Sequence, residues 1–423
     1  MLIKKTIVIF IMLAIATTPL ISCFSTVSSA DYVETQSLEP KKWTLMFYGD
    51  GDWPGGWPLT DFLTQVGISS SNNVDIVALD DVPDGPAKLW YIDSTSSRIL
   101  LEEKGEINMA DYETLRDFVN YCKTNYPAER YALNLWDHGA AWKGACMDIT
   151  NVSGAYDILT MDEMQMALEE SGGVNIIGFS ACVMGCIESA YELRDVVEVY
   201  IGSEEMHGMA IEWVQVADIL EEYPDESTYN ISYKIIDLFK KNYPYFGRLS
   251  DWTISMLVQM RMLILPYPPA LTIPAVRTDK IETLVSSVNN LSNILIDNIN
   301  LYKRTITRVR FRVDDYPRPM IIFSPMGDTI DIYHFVELMD KPRFRLLTPE
   351  LHEIAENVKE NLEQALVNEY HQIGHRNAHG LSIYFPPKYT PVKLRKYDSS
   401  YPNCGLDFTN DTYWDEFLEL YLS

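Results

Sequence analysis

Apolar runs of strand length punctuate the first half of the chain at Thr44–Tyr48, Asp75–Leu79, Lys88–Ile92, Tyr131–Trp136, Asn175–Phe179 and Val196–Ile201. Between several of them the apolar positions recur three and four apart. Leu115, Phe118, Val119 and Cys122 form one such set, and Met161, Met164, Ala167 and Leu168 another, the spacing that lines one face of a helix. Strands alternating with helices predict a largely parallel sheet covered on both faces. Ser71-Asn-Asn73 and Pro83-Asp-Gly-Pro86 read as turns. Thr160 followed by Glu163 reads as a capping box that opens the helix leading to the Asn175 strand. The second half is less regular. Trp252–Leu257 is strand-like, Pro266–Pro269 marks a break, helical spacing returns over Ile281–Tyr302 and Glu350–Tyr370, and a last apolar strand lies at Leu381–Phe385. These breaks predict a core over residues 42–255 and a helix-rich region over 256–423.

With 423 residues and 47% hydrophobic content the chain can bury a sizeable core. No internal period or low-complexity tract suggests a repeat protein. The formal charge of −26 repels nucleic acid and anionic lipid, so neither is expected as a partner. At the start, Lys4-Lys5 precede the apolar run Thr6–Thr17 and then Pro19-Leu-Ile-Ser22, the parts of an export signal over residues 1–22. Leu20-Ile-Ser-Cys23 resembles a lipobox, which would make Cys23 the lipidated first residue of the mature chain and residues 23–41 a tether. Cleavage after Ser28-Ser-Ala30 is the alternative. Either way the expected location is outside the cytoplasm, as a surface or periplasmic lipoprotein or a secreted protein, and the membrane is a partner only through that lipid. Five cysteines follow Cys23, an odd number at irregular spacing, which argues against a disulfide framework.

Two of the strand-like runs end in reactive side chains followed by small residues. Tyr131–Trp136 leads through Asp137 to His138-Gly139, and Asn175–Phe179 leads through Ser180-Ala181 to Cys182, with Gly185 three further on. Open α/β sheets present catalytic groups in this way, and a thiol with a neighbouring imidazole makes a nucleophile and its base. Taken singly, a buried cysteine is most often a small core residue and a histidine at a strand end a satisfied cap. Asp137, adjacent to His138 on an extended chain, points to the opposite face and is a poor orienting group.

Trp136-Asp-His138-Gly139, Gly144-Ala-Cys-Met-Asp148, Leu159-Thr160, Gly178-Phe-Ser-Ala-Cys182-Val-Met-Gly185, Glu188-Ser-Ala-Tyr-Glu-Leu193 and Gly202-Ser-Glu-Glu205 together resemble the clostripain-like cysteine peptidases. Weaker likeness extends from Trp43–Tyr48 to Gly380–Pro386. The resemblance implies a caspase-like fold, an α/β/α sandwich, and cleavage of peptide or protein substrates by a Cys182–His138 dyad without a third catalytic residue. It implies an oxyanion site built from the backbone amides of Cys182 and Gly139. No metal is required for that chemistry, although some members bind calcium and cut themselves between the His and Cys segments, an interval that here contains Lys143.

One position departs from the pattern. The family generally carries aspartate two residues before the nucleophile, where it holds a substrate Arg or Lys, and this chain has Ser180. Glu204 and Glu205, in a segment resembling another wall of the pocket, either restore the charge or form a solvated turn. A basic P1 residue is the expectation that results. Zinc on Cys146, Cys182, Cys186 and His138 fits no common spacing, and His371, His375 and His379 read as surface histidines. The competing functions are a non-catalytic binding lipoprotein, which Ser180 keeps in play, and amide transfer to an added amine.

Overall fold

The computed structural model describes residues 40–52, 56–83, 85–149, 156–207, 211–243, 271–317, 328–344, 348–388 and 397–423. The export signal, Cys23, nearly all of the tether, the Trp252–Leu257 strand, the Pro266–Pro269 break and the boundary near 255 lie outside these residues. The described strands are β1 (Lys41–Asp50), β2 (Val74–Val82), β3 (Gly85–Ile92), β4 (Arg98–Gly105), β5 (Ala128–Trp136), β6 (Val174–Ser180), β7 (Val197–Ile201), β8 (Thr272–Arg277), β9 (Asp315–Tyr316), β10 (Thr329–Asp331), β11 (Leu366–His371) and β12 (Ser382–Tyr384).

Nine of them form one sheet in the order β11-β8-β7-β6-β5-β1-β2-β3-β4, and β12-β10-β9 form a small second sheet. The five central strands β7, β6, β5, β1 and β2 are parallel, and two antiparallel strands close each edge. The central strands bury both faces, which is why they read as continuous apolar runs rather than alternating ones. Trp43, Leu45 and Phe47 of β1 pack into one core with the helices Leu59–Gln65, Ile211–Glu222 and Thr228–Asn242. Met46 and Tyr48 pack into the other, with the helices Tyr112–Asn125, Met161–Glu170 and Ile281–Asp297. The result is the three-layer α/β/α arrangement expected, with helices dominating the C-terminal region.

The Met161–Glu170 helix begins as its sequence predicts. Glu163 Oε2 accepts from the Thr160 amide at 3.0 Å and from the Thr160 hydroxyl at 2.7 Å. Met161, Met164, Ala167 and Leu168 are all fully buried, and side chains of Met or Leu size contribute about 1.5–3 kcal/mol each on burial.

The helical spacing read over Glu350–Tyr370 ends early. The helix Pro349–Ala365 stops at Leu366, whose ψ of 128° is extended, and Leu366–His371 becomes β11 against β8. Edge pairing, with Tyr370 opposite Ile273, overrides the spacing there. Ile281–Tyr302 likewise divides into two helices at Asn298. β4 is not visible as a strand because four of its eight residues, Arg98, Glu102, Glu103 and Lys104, are charged, as suits an exposed edge.

Candidate active site

β5 and β6 are parallel neighbours with Trp136 opposite Ser180. Two residues beyond each, His138 and Cys182 therefore leave the carboxyl edge of the sheet side by side. How tightly the two loops meet is set by Gly139, on which a β-carbon would lie 2.1 Å from the Cys182 carbonyl oxygen and 3.0 Å from the Met184 sulfur. Only glycine allows this approach.

Each loop is held by its backbone. After His138 the chain folds back on itself, with Cys146 N–H donating to the His138 carbonyl at 3.1 Å and Ala140 N–H to Gly144 at 2.9 Å. The Cys182 loop is pinned by Val183 N–H donating to the Glu205 carbonyl at 3.1 Å and Gly185 N–H to the Ser203 carbonyl at 2.7 Å. Val183 adopts φ 55°, a left-handed conformation costly for a β-branched residue and one that persists where the surroundings over-determine it. Ser382 of β12 donates its amide to the Gly185 carbonyl at 2.9 Å, so the C-terminal region also grips this loop.

Cys182 is half-buried. Burial pushes its thiol up to about 11, the charges of Glu205 and Asp137 add to this, and a hydrogen bond from the His207 backbone opposes it. His138 reaches the surface, and burial of the rest of its ring holds it below the usual imidazole range. At neutral pH the two groups therefore rest as a neutral thiol and a neutral imidazole on neighbouring loops. That arrangement has a proton ready for transfer rather than a preformed thiolate. Asp137 directs Oδ2 to the Met147 amide at 2.6 Å.

Of the residues expected to bind substrate, Ser180 is fully buried and shares its hydroxyl with Asn134, at 3.1 and 3.2 Å. Glu204 and Glu205 are not a solvated turn, since both are buried. Burial, with Asp331 and Glu369 nearby, pushes the Glu204 carboxyl well above its ordinary range. Glu205 accepts from the Met206 amide at 2.9 Å and lies 2.5 Å from His375 Nε2.

That contact overturns one expectation. His375 is not a surface histidine; it is completely buried in a short turn, between Glu205 and Asp314, whose Oδ2 is 3.9 Å from Nδ1. His371 ends β11 beside Glu369, and His379 stacks on Tyr333. No local pattern foretells this burial, because the partner lies 170 residues away. The five described cysteines are all free.

A second group was legible but passed over. The strand ends Asp50, Asp81 and Asp137, with Asp52 and Asp148, are all buried. Asp50 Oδ2, Asp81 Oδ2 and Asp137 Oδ1 have no hydrogen-bond partner among the described residues. Burial first, then neighbouring carboxylates, pushes Asp137 up to about 7 and Asp81 to about 8. The signal was an apolar run ending in a polar side chain, the same one that located His138.

These carboxylates were tested against calcium, which takes roughly six to eight converging oxygens. Among the described residues, one trio of ligand atoms lies within 4.8 Å of one another, and it is Asp340, His352 and Glu356 on two C-terminal helices. Glu356 there already pairs with Lys359. The aspartates at the sheet edge do not converge in this way, so they do not fit the ion as placed. No described helix is long and apolar enough to cross a membrane.

The sequence profile of the clostripain family matches residues 64–421. The chain is 29% identical to clostripain of Hathewaya histolytica over a stretch that covers 36% of each protein. The fold is similar to that of an inactive zymogen C11 protease from Parabacteroides distasonis, with a TM-score of 0.61 at 20% identity, over 89% of this chain and 99% of that one. It is also similar to a secreted C11 cysteine protease from Bacteroides thetaiotaomicron solved with an irreversible peptide inhibitor, with a TM-score of 0.60 at 14% identity over 88% and 98%.

Proposed function

The chain belongs to the clostripain family of cysteine peptidases, and from that premise we propose that it cleaves peptide bonds with Cys182 as nucleophile and His138 as general base and acid. The observation that carries this reading is the Gly139–Cys182 contact, which keeps the imidazole and thiol loops together at the ends of two paired strands.

In the proposed cycle His138 takes the Cys182 proton as sulfur attacks the scissile carbonyl. The backbone amides of Gly139 and Cys182 receive the oxyanion, and losing one such donor typically costs on the order of 10²–10³-fold in rate. Collapse of the tetrahedral intermediate breaks the C–N bond, and His138 gives its proton to the departing amine. Water, deprotonated by His138, then attacks the thioester; the S–C bond breaks, the acid is released and the proton returns to sulfur.

Peptides and proteins are the proposed substrates, with a basic P1 residue preferred. Export by the leader and anchoring through a lipid on Cys23 complete the reading, which places the enzyme outside the cytoplasm. No step is assigned to calcium. The test is digestion of a diverse peptide library by the mature chain and by its Cys182→Ala variant, read by mass spectrometry. Cuts that vanish in the variant are expected. Cuts that persist, or no cuts by either protein, would return the chain to the binding-lipoprotein reading.

A further inference from the structure

In this chain the residue two before the nucleophile does not offer a charge, because Ser180 is sealed against Asn134. Buried carboxyl groups gather one strand over. Gly49 of β1 pairs with Trp136 of β5, so Asp50 and Asp137 emerge side by side, and Asp81, one residue before the end of β2, lies opposite Asp50. The helical crossovers diverge from this point, Leu59–Gln65 over one face and Met161–Glu170 over the other. In an open α/β sheet that divergence leaves a crevice at the carboxyl edge where ligands bind.

The carboxylates there lack a counter-charge. No ion pair among the described residues reaches Asp50, Asp81 or Asp137, and each keeps one buried oxygen without a donor. Burial holds the Asp50 and Asp137 carboxyls above their ordinary range, so without a partner they favour their protonated forms, and a cation that arrives from elsewhere would draw out the charge. Asp137 directly precedes His138 at the end of β5, the strand paired with the one that leads to Cys182, so a cation held there binds beside the two loops of the proposed dyad. Among the described residues no three of these side chains bring ligand oxygens within 4.8 Å of one another, whereas calcium takes roughly six to eight. A guanidinium, with five N–H donors fanned in a plane, spans two separated carboxylates.

We propose that Asp137 and Asp50 form the carboxyl floor of the pocket that receives the substrate side chain before the cut, ionise against it, and select arginine. The charge that this family generally places two residues before the nucleophile has moved to the end of the histidine strand. The proposal rests on the peptidase reading and names the residues that give it specificity.

The test uses a matched pair of fluorogenic peptides with P1 arginine or citrulline, its neutral isostere, and reads the ratio of their kcat/KM values. Both peptides use the same dyad, so general damage cancels in the ratio. In the wild-type chain arginine is favoured by about 10³-fold or more, as expected where a site is built to bond a polar group. Asp137→Asn and Asp50→Asn reduce that ratio by about 10²-fold. Asparagine keeps an oxygen for the Met147 amide, and stoichiometric alkylation of Cys182 reports that the site is intact. Glu205→Gln leaves the ratio unchanged, because that carboxylate is already paired with His375.

An unchanged ratio in both aspartate variants would overturn the proposal, as would a ratio lost only in Glu205→Gln. Stoichiometric calcium binding by the wild type, measured calorimetrically and abolished by Asp50→Asn without a change in P1 preference, would instead make the cluster a metal site. Equal cleavage of both peptides by the wild type sinks this inference and leaves the peptidase. Cleavage of no peptide at all removes the peptidase reading, and this inference with it.

Discussion

Replacing Gly139 by alanine inserts one methyl group at the point where the two catalytic loops touch. The new carbon would sit 2.1 Å from the Cys182 carbonyl oxygen, whereas real β-carbons essentially never come closer than 3.0 Å to another heavy atom. The loops must therefore separate by about 0.9 Å at the least. The obstructing atom is main chain, and Met184 closes the adjacent direction at 3.0 Å. A misplacement of about 1 Å costs about 10²-fold in rate, and displacement of the Gly139 amide from the oxyanion adds to it. We therefore expect Gly139→Ala to lower kcat/KM by about 10²–10³-fold. Overpacking alone costs roughly 1–3 kcal/mol, so the protein stays folded with a reduced Tm. The assay is steady-state cleavage of the best library peptide, beside thermal unfolding and alkylation of Cys182, which should persist. Adding Met184→Ala should not rescue activity, because it removes only the side-chain part of the clash. A kcat/KM within threefold of wild type at unchanged Tm would refute the argument that this contact sets the dyad.

Two further outcomes follow from buried charge. His375→Ala removes the ring that lies 2.5 Å from the Glu205 carboxyl and should cost about 1–3 kcal/mol in urea unfolding, with part recovered in the Glu205→Gln, His375→Ala double variant; an unchanged stability would contradict a buried hydrogen-bonded pair. Carboxyls raised by burial, Asp81 to about 8 and Asp80, Asp137, Glu188, Glu192 and Glu212 to about 7, bind protons more tightly folded than unfolded. Their contribution is full below the unfolded carboxylate range and is lost as pH rises through the folded values, so Tm should climb as pH falls from 8 to about 6.5. Below that, histidines such as His207, lowered by burial to about 4, begin to oppose the trend. A Tm that falls steadily across that window would show these carboxyls to be ionised and compensated.

The sheet and the placing of His138 and Cys182 at its carboxyl edge were legible because they depend on local signals. Strands buried on both faces advertise themselves as apolar runs, and a reactive side chain where such a run stops marks the carboxyl edge. Thr160 and Glu163 announced their helix for the same reason, since both partners lie within one turn. β11 was misread because its pairing with β8 is a contact between distant segments, while its apolar spacing continues that of the helix before it. His375 was misread because burial beside Glu205 is a tertiary fact with no local pattern. Asp50, Asp81 and Asp137 were in plain view, but an aspartate at a strand end reads as an ordinary polar stop until its neighbours on adjacent strands are known.

The carboxylates around Cys182 also bear on how long the enzyme lasts. Peroxides and other oxidants attack thiolates, and a thiol held near 11 is ionised in only about one molecule in 10⁴ at neutral pH. Without substrate, the sulfur is thus shielded from sulfenic and sulfinic acid formation chiefly by its burial, with Glu205 and Asp137 adding to the effect. A positively charged side chain settling against Asp137 would cancel part of that effect and release the sulfur at the moment a bond is there to be cut. A cysteine kept as its thiol is one that stores well.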